Sequence, residues 1–304
     1  MDRDFAWQDA PGPAVLRMPE GEVLAGLVAL HGARDGRARQ ALFDQLGQAL
    51  TPLGIAVLTY ERRAVEDGET PLHLQAADAV AAARALPSHL RRGVGIFGFS
   101  QGAWAATLAA ANDPADFLVV LGCSGVSPAE QMRFYTDELL RRLGFGPEER
   151  AENLRLRLHL EEYLREPDRG NSDREALATA LHAASGKPWF PRSYLPPAPP
   201  PDEARWEDMD FDPAASFAKV RGPVLAMWGD DEECVPRELS SKAWQSSGAD
   251  VTLLDLPGCG HWPVMGSGAP DYSGWEDDEL AQDFIATMTG WISNEVTRPS
   301  GRAS

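Results

Sequence analysis

The chain has 304 residues, 43% of them hydrophobic and 24% charged, with a formal net charge of −18. That length supports one elaborated domain with a large core, and a charge of this sign opposes polyanionic partners; basic residues gather only in pairs such as Arg62-Arg63 and Arg91-Arg92, so nucleic acid is not an expected partner. No stretch approaches the roughly 20 apolar residues of a membrane span, and Met1-Asp2-Arg3-Asp4-Phe5 does not lead from charge into an apolar run, so a cytoplasmic protein with no membrane partner is expected.

Strand-like segments rich in Val, Ile and Leu alternate with helical ones along the chain. Val23 to Leu30 is the first, leading into His31-Gly32-Ala33; the helical stretch Arg39 to Leu50 follows, then the strand Ile55 to Tyr60 and the helix Leu72 to Leu86. Val94 to Phe97 runs into Gly98-Phe99-Ser100-Gln101-Gly102 and the small-residue helix Gln101 to Ala111, and Phe117 to Leu121 is the next strand. Between about Ser127 and Lys219 nothing reads as a strand. Helical patterns take over there, Ala129 to Leu143 and Pro147 to Arg165, ending in a proline-heavy connector that runs to Pro201. Alternation resumes with the strand Val224 to Trp228, the helix Arg237 to Trp244, the strand Val251 to Leu256 and the helix Glu279 to Ile292. The pattern predicts an α/β fold, a mostly parallel central sheet with helices on both faces and an inserted helical cap. The core is assigned to 1–126 and 219–296, the cap to 127–218, and a frayed tail to 297–304.

In such sheets ligands sit beyond the carboxyl ends of the strands, which directs attention to three loops. The first is the sharp strand-to-helix turn at Ser100. A serine strained at such a turn forces the residues two before and two after it together, and only glycine or a very small residue fits. A serine hydroxyl also needs a base, a group to orient that base, and donors for the developing oxyanion. Of six histidines, His261 sits on the glycine-rich loop after the last strand and is the candidate base. In the preceding loop, Gly229-Asp230-Asp231-Glu232-Glu233-Cys234-Val235-Pro236, four carboxylates compete for the orienting role. The backbone N–H of Gln101, heading a helix, and that of Ala33, after an early strand, are the expected oxyanion donors.

Together these motifs resemble the α/β-hydrolase superfamily, with their order most like its lidded carboxylesterases and its dienelactone-hydrolase-like and acylaminoacyl-peptidase-like catalytic domains. The resemblance spans nearly the whole chain. It includes Tyr60-Glu61-Arg62-Arg63, followed by Ala64 where such proteins commonly have glycine, and the loop Gly229-x-x-Glu232-x-x-Val235-Pro236, where the family usually carries aspartate. That correspondence places the orienting acid on Glu232, with Asp231 and Asp230 as alternatives. It also implies a serine hydrolase acting on a carboxylic ester or thioester, with acyl transfer, cyclisation or simple binding as other uses of the fold. One or two antiparallel edge strands usual in such proteins are expected to be missing or abbreviated, since only Ala14 to Met18 precedes the first clear strand, and no leading propeller domain is expected.

The expected partner is a small, largely apolar acyl substrate in a pocket lined by Trp262, His31, Phe134 and Trp189, with Tyr135, Phe190, Tyr194 and Trp206 as further cap aromatics. No metal or organic cofactor is implied. Cys123, Cys234 and Cys259 are odd in number and lack metal-type spacing, so reduced thiols are expected. The sequence leaves the oligomeric state open.

Overall fold

All six predicted strands form in the computed structural model, which describes residues 2–33, 36–63, 65, 70–87, 93–113, 115–165, 170–270 and 280–297. They are β3 (Ala25–Leu30), β4 (Ile55–Tyr60), β5 (Val94–Phe99), β6 (Phe117–Leu121), β7 (Pro223–Gly229) and β8 (Asp250–Leu256), and they pair in parallel in the order β4-β3-β5-β6-β7-β8. The antiparallel edge is abbreviated rather than missing. β1 (Asp2–Phe5) and β2 (Ala14–Arg17) are four residues each, and β2 pairs Ala14 with Tyr60 at the margin of β4.

Alternation along each strand divides the core in two, because successive side chains leave opposite faces of a sheet. Leu27 of β3, Val57 of β4, Val119 of β6 and Met227 of β7 point to one side, where α1 (Gly36–Leu50) and α9 (Gln282–Thr297) contribute Leu46 and Phe284. Val28, Leu58, Val120 and Ala226 point to the other, against α2 (Leu72–Ala85) and α3 (Gln101–Asn112). The alanines of α3, among them Ala103, Ala105, Ala106 and Ala109, are buried, so the helix can lie close to the strands.

Between β6 and β7 the chain forms α4 (Pro128–Arg142), α5 (Pro147–Arg165), α6 (Asn171–Ala184) and the short α7 (Pro213–Phe217), which give the fold a cap-like region. Ser127 and Glu130 close a reciprocal capping box on α4, with Pro128 in the first turn where a missing N–H costs nothing. α4, α5 and α6 share a core of their own, containing Leu140, Leu160, Leu181 and Trp189. The remaining helix of the core, α8 (Arg237–Ser246), lies between β7 and β8. Helix α9 includes Thr297, the first residue of the expected tail; 298–304, together with Ala64, His89 and the pair Arg91-Arg92, lie outside the described residues. Among the described residues no helix is long and apolar enough to cross a membrane.

Candidate active site

The turn at Ser100 has the tight geometry its glycines imply. Ser100 adopts φ 53° and ψ −122° at the head of α3, held by its N–H donating to the Leu121 carbonyl at 2.9 Å. A Cβ on Gly98 would stand 2.4 Å from the Gly102 carbonyl oxygen, and one on Gly102 would stand 2.3 Å from that of His31. Real Cβ atoms do not approach so closely, so both positions require glycine while the turn and the His31 loop stay in place.

Three elements distant in sequence converge on this hydroxyl. His261, on the loop after β8, brings Nε2 to 2.9 Å from Ser100 Oγ, and its Nδ1 lies 2.9 and 3.1 Å from the two carboxylate oxygens of Glu232, which follows β7. Both groups are buried, with side-chain exposures of 7% for His261 and 1% for Glu232. Glu232 Oε1 also accepts from the backbone N–H groups of Cys234 at 2.8 Å and Val235 at 3.2 Å, which fixes the carboxylate's direction. Gly122, at φ +61° just past β6, makes room for the ring: a Cβ there would lie 2.7 Å from His261 Cε1.

The competing carboxylates are engaged elsewhere. Asp230 accepts from the Gly258 N–H at 2.8 Å, and Asp231 pairs with Arg142 of α4 at 3.0 Å. Glu233 accepts from the backbone N–H of His261 at 2.9 Å, steadying the histidine loop from behind. Burial alone would lower the pKa of His261. The charge and hydrogen bond of Glu232, with Glu233 behind it, outweigh that and hold the imidazole above its ordinary value. Glu233 is itself raised, chiefly by burial.

Ala33 and Gln101 line the same cavity as Ser100, His261 and Trp262, a space of about 1150 Å³. Arg62 bridges the loops that carry those two amides: its guanidinium donates to Gln101 Oε1 at 2.5 Å and to the His31 carbonyl. In the sequence Arg62 stands only within the Tyr60-Glu61-Arg62-Arg63 motif; its place just past β4, beside the other strand ends, is the signal for its position as a brace.

The expected lining is otherwise redistributed. His31 is buried behind the loop, its ring beside Phe43 and its Nδ1 within 2.8 Å of the Gly32 carbonyl. Trp189 is fully buried in the cap-like core. Phe134 is half-buried and off the cavity face. The face of α4 that meets the cavity is Pro128, Gln131, Met132 and Tyr135, an i, i+3, i+4, i+7 stripe that excludes position 134 by helical phase. Tyr194 and Trp206 complete the aromatic lining in place of Phe134 and Trp189.

Glu232, Cys234 and His261 also place ligand-type atoms within 4.8 Å of one another. Each is already committed: Glu232 and His261 bond each other, and the Cys234 thiol, held neutral by burial and two carboxylates, lies 3.5 Å from Glu233 Oε1. A hydroxyl bonded to an imidazole whose far nitrogen meets a buried carboxylate can pass its proton to the ring as it attacks an electrophile.

Comparison with known proteins agrees with this architecture. A family model described as the alpha/beta hydrolase family matches residues 27–284. Among solved structures, the chain is similar to the proline iminopeptidase of Mycobacterium smegmatis, with 17% identity, TM-score 0.56 and coverage of 97% of this chain and 99% of that one. It is also similar to a lipase in an open form, with 15% identity, TM-score 0.58 and coverage of 98% and 99%. A third is a highly thermostable carboxyl esterase from Bacillus coagulans, with 16% identity, TM-score 0.57 and coverage of 97% and 98%. No curated protein matches the chain in sequence.

Proposed function

Since the chain belongs to the alpha/beta hydrolase family, we propose that it hydrolyses a carboxylic ester or thioester of a small, largely apolar substrate through an acyl-enzyme on Ser100. Ser100 Oγ attacks the acyl carbon while its proton passes to His261 Nε2. Glu232, accepting from Nδ1–H, stabilises the imidazolium that results. The Gln101 and Ala33 amides receive the developing oxyanion, and loss of one such donor typically costs about 3 kcal/mol in the transition state. The leaving alcohol or thiol takes its proton from Nε2. Water, deprotonated by the same ring, then releases the acid and restores Ser100.

The observation that carries this reading is the unbroken run of hydrogen bonds from Ser100 Oγ through both ring nitrogens of His261 to Glu232, opening on one cavity. Turnover of short- and medium-chain aryl esters and acyl thioesters tests it. Wild type should hydrolyse part of the panel, with kcat falling by about 10⁴-fold or more in Ser100→Ala and His261→Ala. Equal rates in wild type and Ser100→Ala would remove the serine from the reaction.

A further inference from the structure

On the wall of the cavity that Ser100 also lines, two phenols from separate segments meet. Tyr135 of α4 and Tyr194, just beyond the 3-10 turn Phe190–Arg192, bring their hydroxyls to 2.9 Å and their ring centroids to 5.2 Å, and both line the space that holds Ser100 and His261. Tyr194 is held in an unusual way. Its φ is +54°, in the left-handed region that a bulky side chain avoids, and the residue remains 58% exposed. The buried guanidinium of Arg157 fixes that backbone by donating from Nη2 to the Ser193 and Tyr194 carbonyls at 2.8 and 2.9 Å. Ser193, fully buried, donates its hydroxyl to the Phe190 carbonyl at 2.6 Å. A backbone strained and fastened from below, presenting an exposed ring to a cavity, is the pattern expected where a side chain is aimed at a ligand.

Counting protons gives the ligand chemistry. Two phenols carry two O–H donors, and their mutual bond consumes one. The other is free to donate into the cavity, strengthened because its oxygen is itself accepting a hydrogen bond. Burial, with Cys234, the Tyr194 phenol and the Glu233 carboxylate adding to it, keeps the Tyr135 phenol neutral. Two neighbouring polar groups are engaged with each other's loops: Gln131 Nε2 donates to the Cys234 carbonyl at 2.7 Å, and the Cys234 thiol lies against Glu233.

We propose that the Tyr135–Tyr194 pair is a specificity site that selects substrates bearing a proton-free oxygen acceptor, an ether or keto oxygen, in the chain remote from the scissile ester. The location of that ester rests on the Ser100 reading above. A pair that merely fastened α4 to the Ser193–Leu195 turn would be indifferent to an oxygen in the substrate, and this separates the two roles.

The test uses the Ser100→Ala protein, so that esters are bound and not consumed. Trp104, Trp206 and Trp262 line the cavity, so intrinsic fluorescence reports occupancy. The probes are a medium-chain methyl ester and its isosteres in which oxygen replaces one CH₂ at successive positions. One isostere should bind about three- to tenfold more tightly than the all-carbon ester, the range of one net hydrogen bond. Adding Tyr135→Phe and Tyr194→Phe should bring that ratio to about one. Tyr194→Phe alone, which removes a hydroxyl from an exposed ring, serves if the double variant does not fold. An unchanged ratio without the hydroxyls, or no preferred isostere at all, overturns the proposal. If wild type turns over no ester while the oxygen preference persists and depends on the two hydroxyls, the esterase reading fails and the specificity site stands.

Discussion

At the scale of single residues, the acid loop separates four carboxylates that composition could not. Glu232 alone meets the imidazole, while Asp231 is turned toward Arg142. Glu232→Gln is therefore expected to lower kcat by about 10²- to 10⁴-fold, the range for disabling an orienting acid, and Asp231→Asn by less than about tenfold, as for a partly exposed ion pair. Steady-state kinetics on one good ester would distinguish them, and the reverse order of losses would move the acid role to Asp231. Arg62 acts at one remove. Because it ties Gln101 to the His31 carbonyl, Arg62→Ala should lower kcat by about tenfold with little change in KM, and Arg62→Lys should recover only part, since a single ammonium cannot span two divergent acceptors.

Elements, unlike side-chain partners, were largely legible in the sequence. Strand runs of Val, Ile and Leu and the glycines around Ser100 are dictated by local sterics, and helix α4, expected from Ala129, starts at Pro128. The cavity lining was less legible because it depends on helix phase and on tertiary placement. Tyr135 rather than Phe134 meets the cavity, and Trp189 was absorbed into a core that the cap-like helices build among themselves. The turn and the His31 loop are locked together by contact. Gly102→Ala would press a methyl group onto the His31 carbonyl oxygen, so it should destabilise the protein by about 2–4 kcal/mol in urea unfolding. Gly290 in α9 has nothing within 4 Å of a built Cβ, so Gly290→Ala should stabilise by about 0.5–1 kcal/mol instead. Equal effects at the two sites would contradict the tight-turn account.

For the whole molecule, the chemistry and the stability of the site respond to pH in opposite directions. His261 titrates above the ordinary histidine value of about 6.5 in the folded protein. Its stabilising contribution is complete below about 6.5 and is lost as pH rises through the higher folded value. Catalysis needs the neutral ring, so kcat/KM should rise with pH through that same higher value. The Tm difference between wild type and His261→Ala should shrink as activity grows, and an acid limb centred well below pH 6.5 would contradict the Glu232–His261 coupling. The loops that create this coupling follow β5, β7 and β8 and meet only because a parallel sheet delivers all its strand ends to one edge. That convergence is why the chain alone could point to loops that bring Ser100 and His261 together, while the contacts among the acidic residues could not be read from it.

Whether Ser100 is an activated nucleophile is decided by intact-mass and peptide mapping after treatment with a fluorophosphonate. One adduct per chain is expected, located on Ser100, abolished in Ser100→Ala and strongly slowed in His261→Ala. Undiminished labelling of Ser100→Ala, or an adduct mapped to another residue, would contradict it.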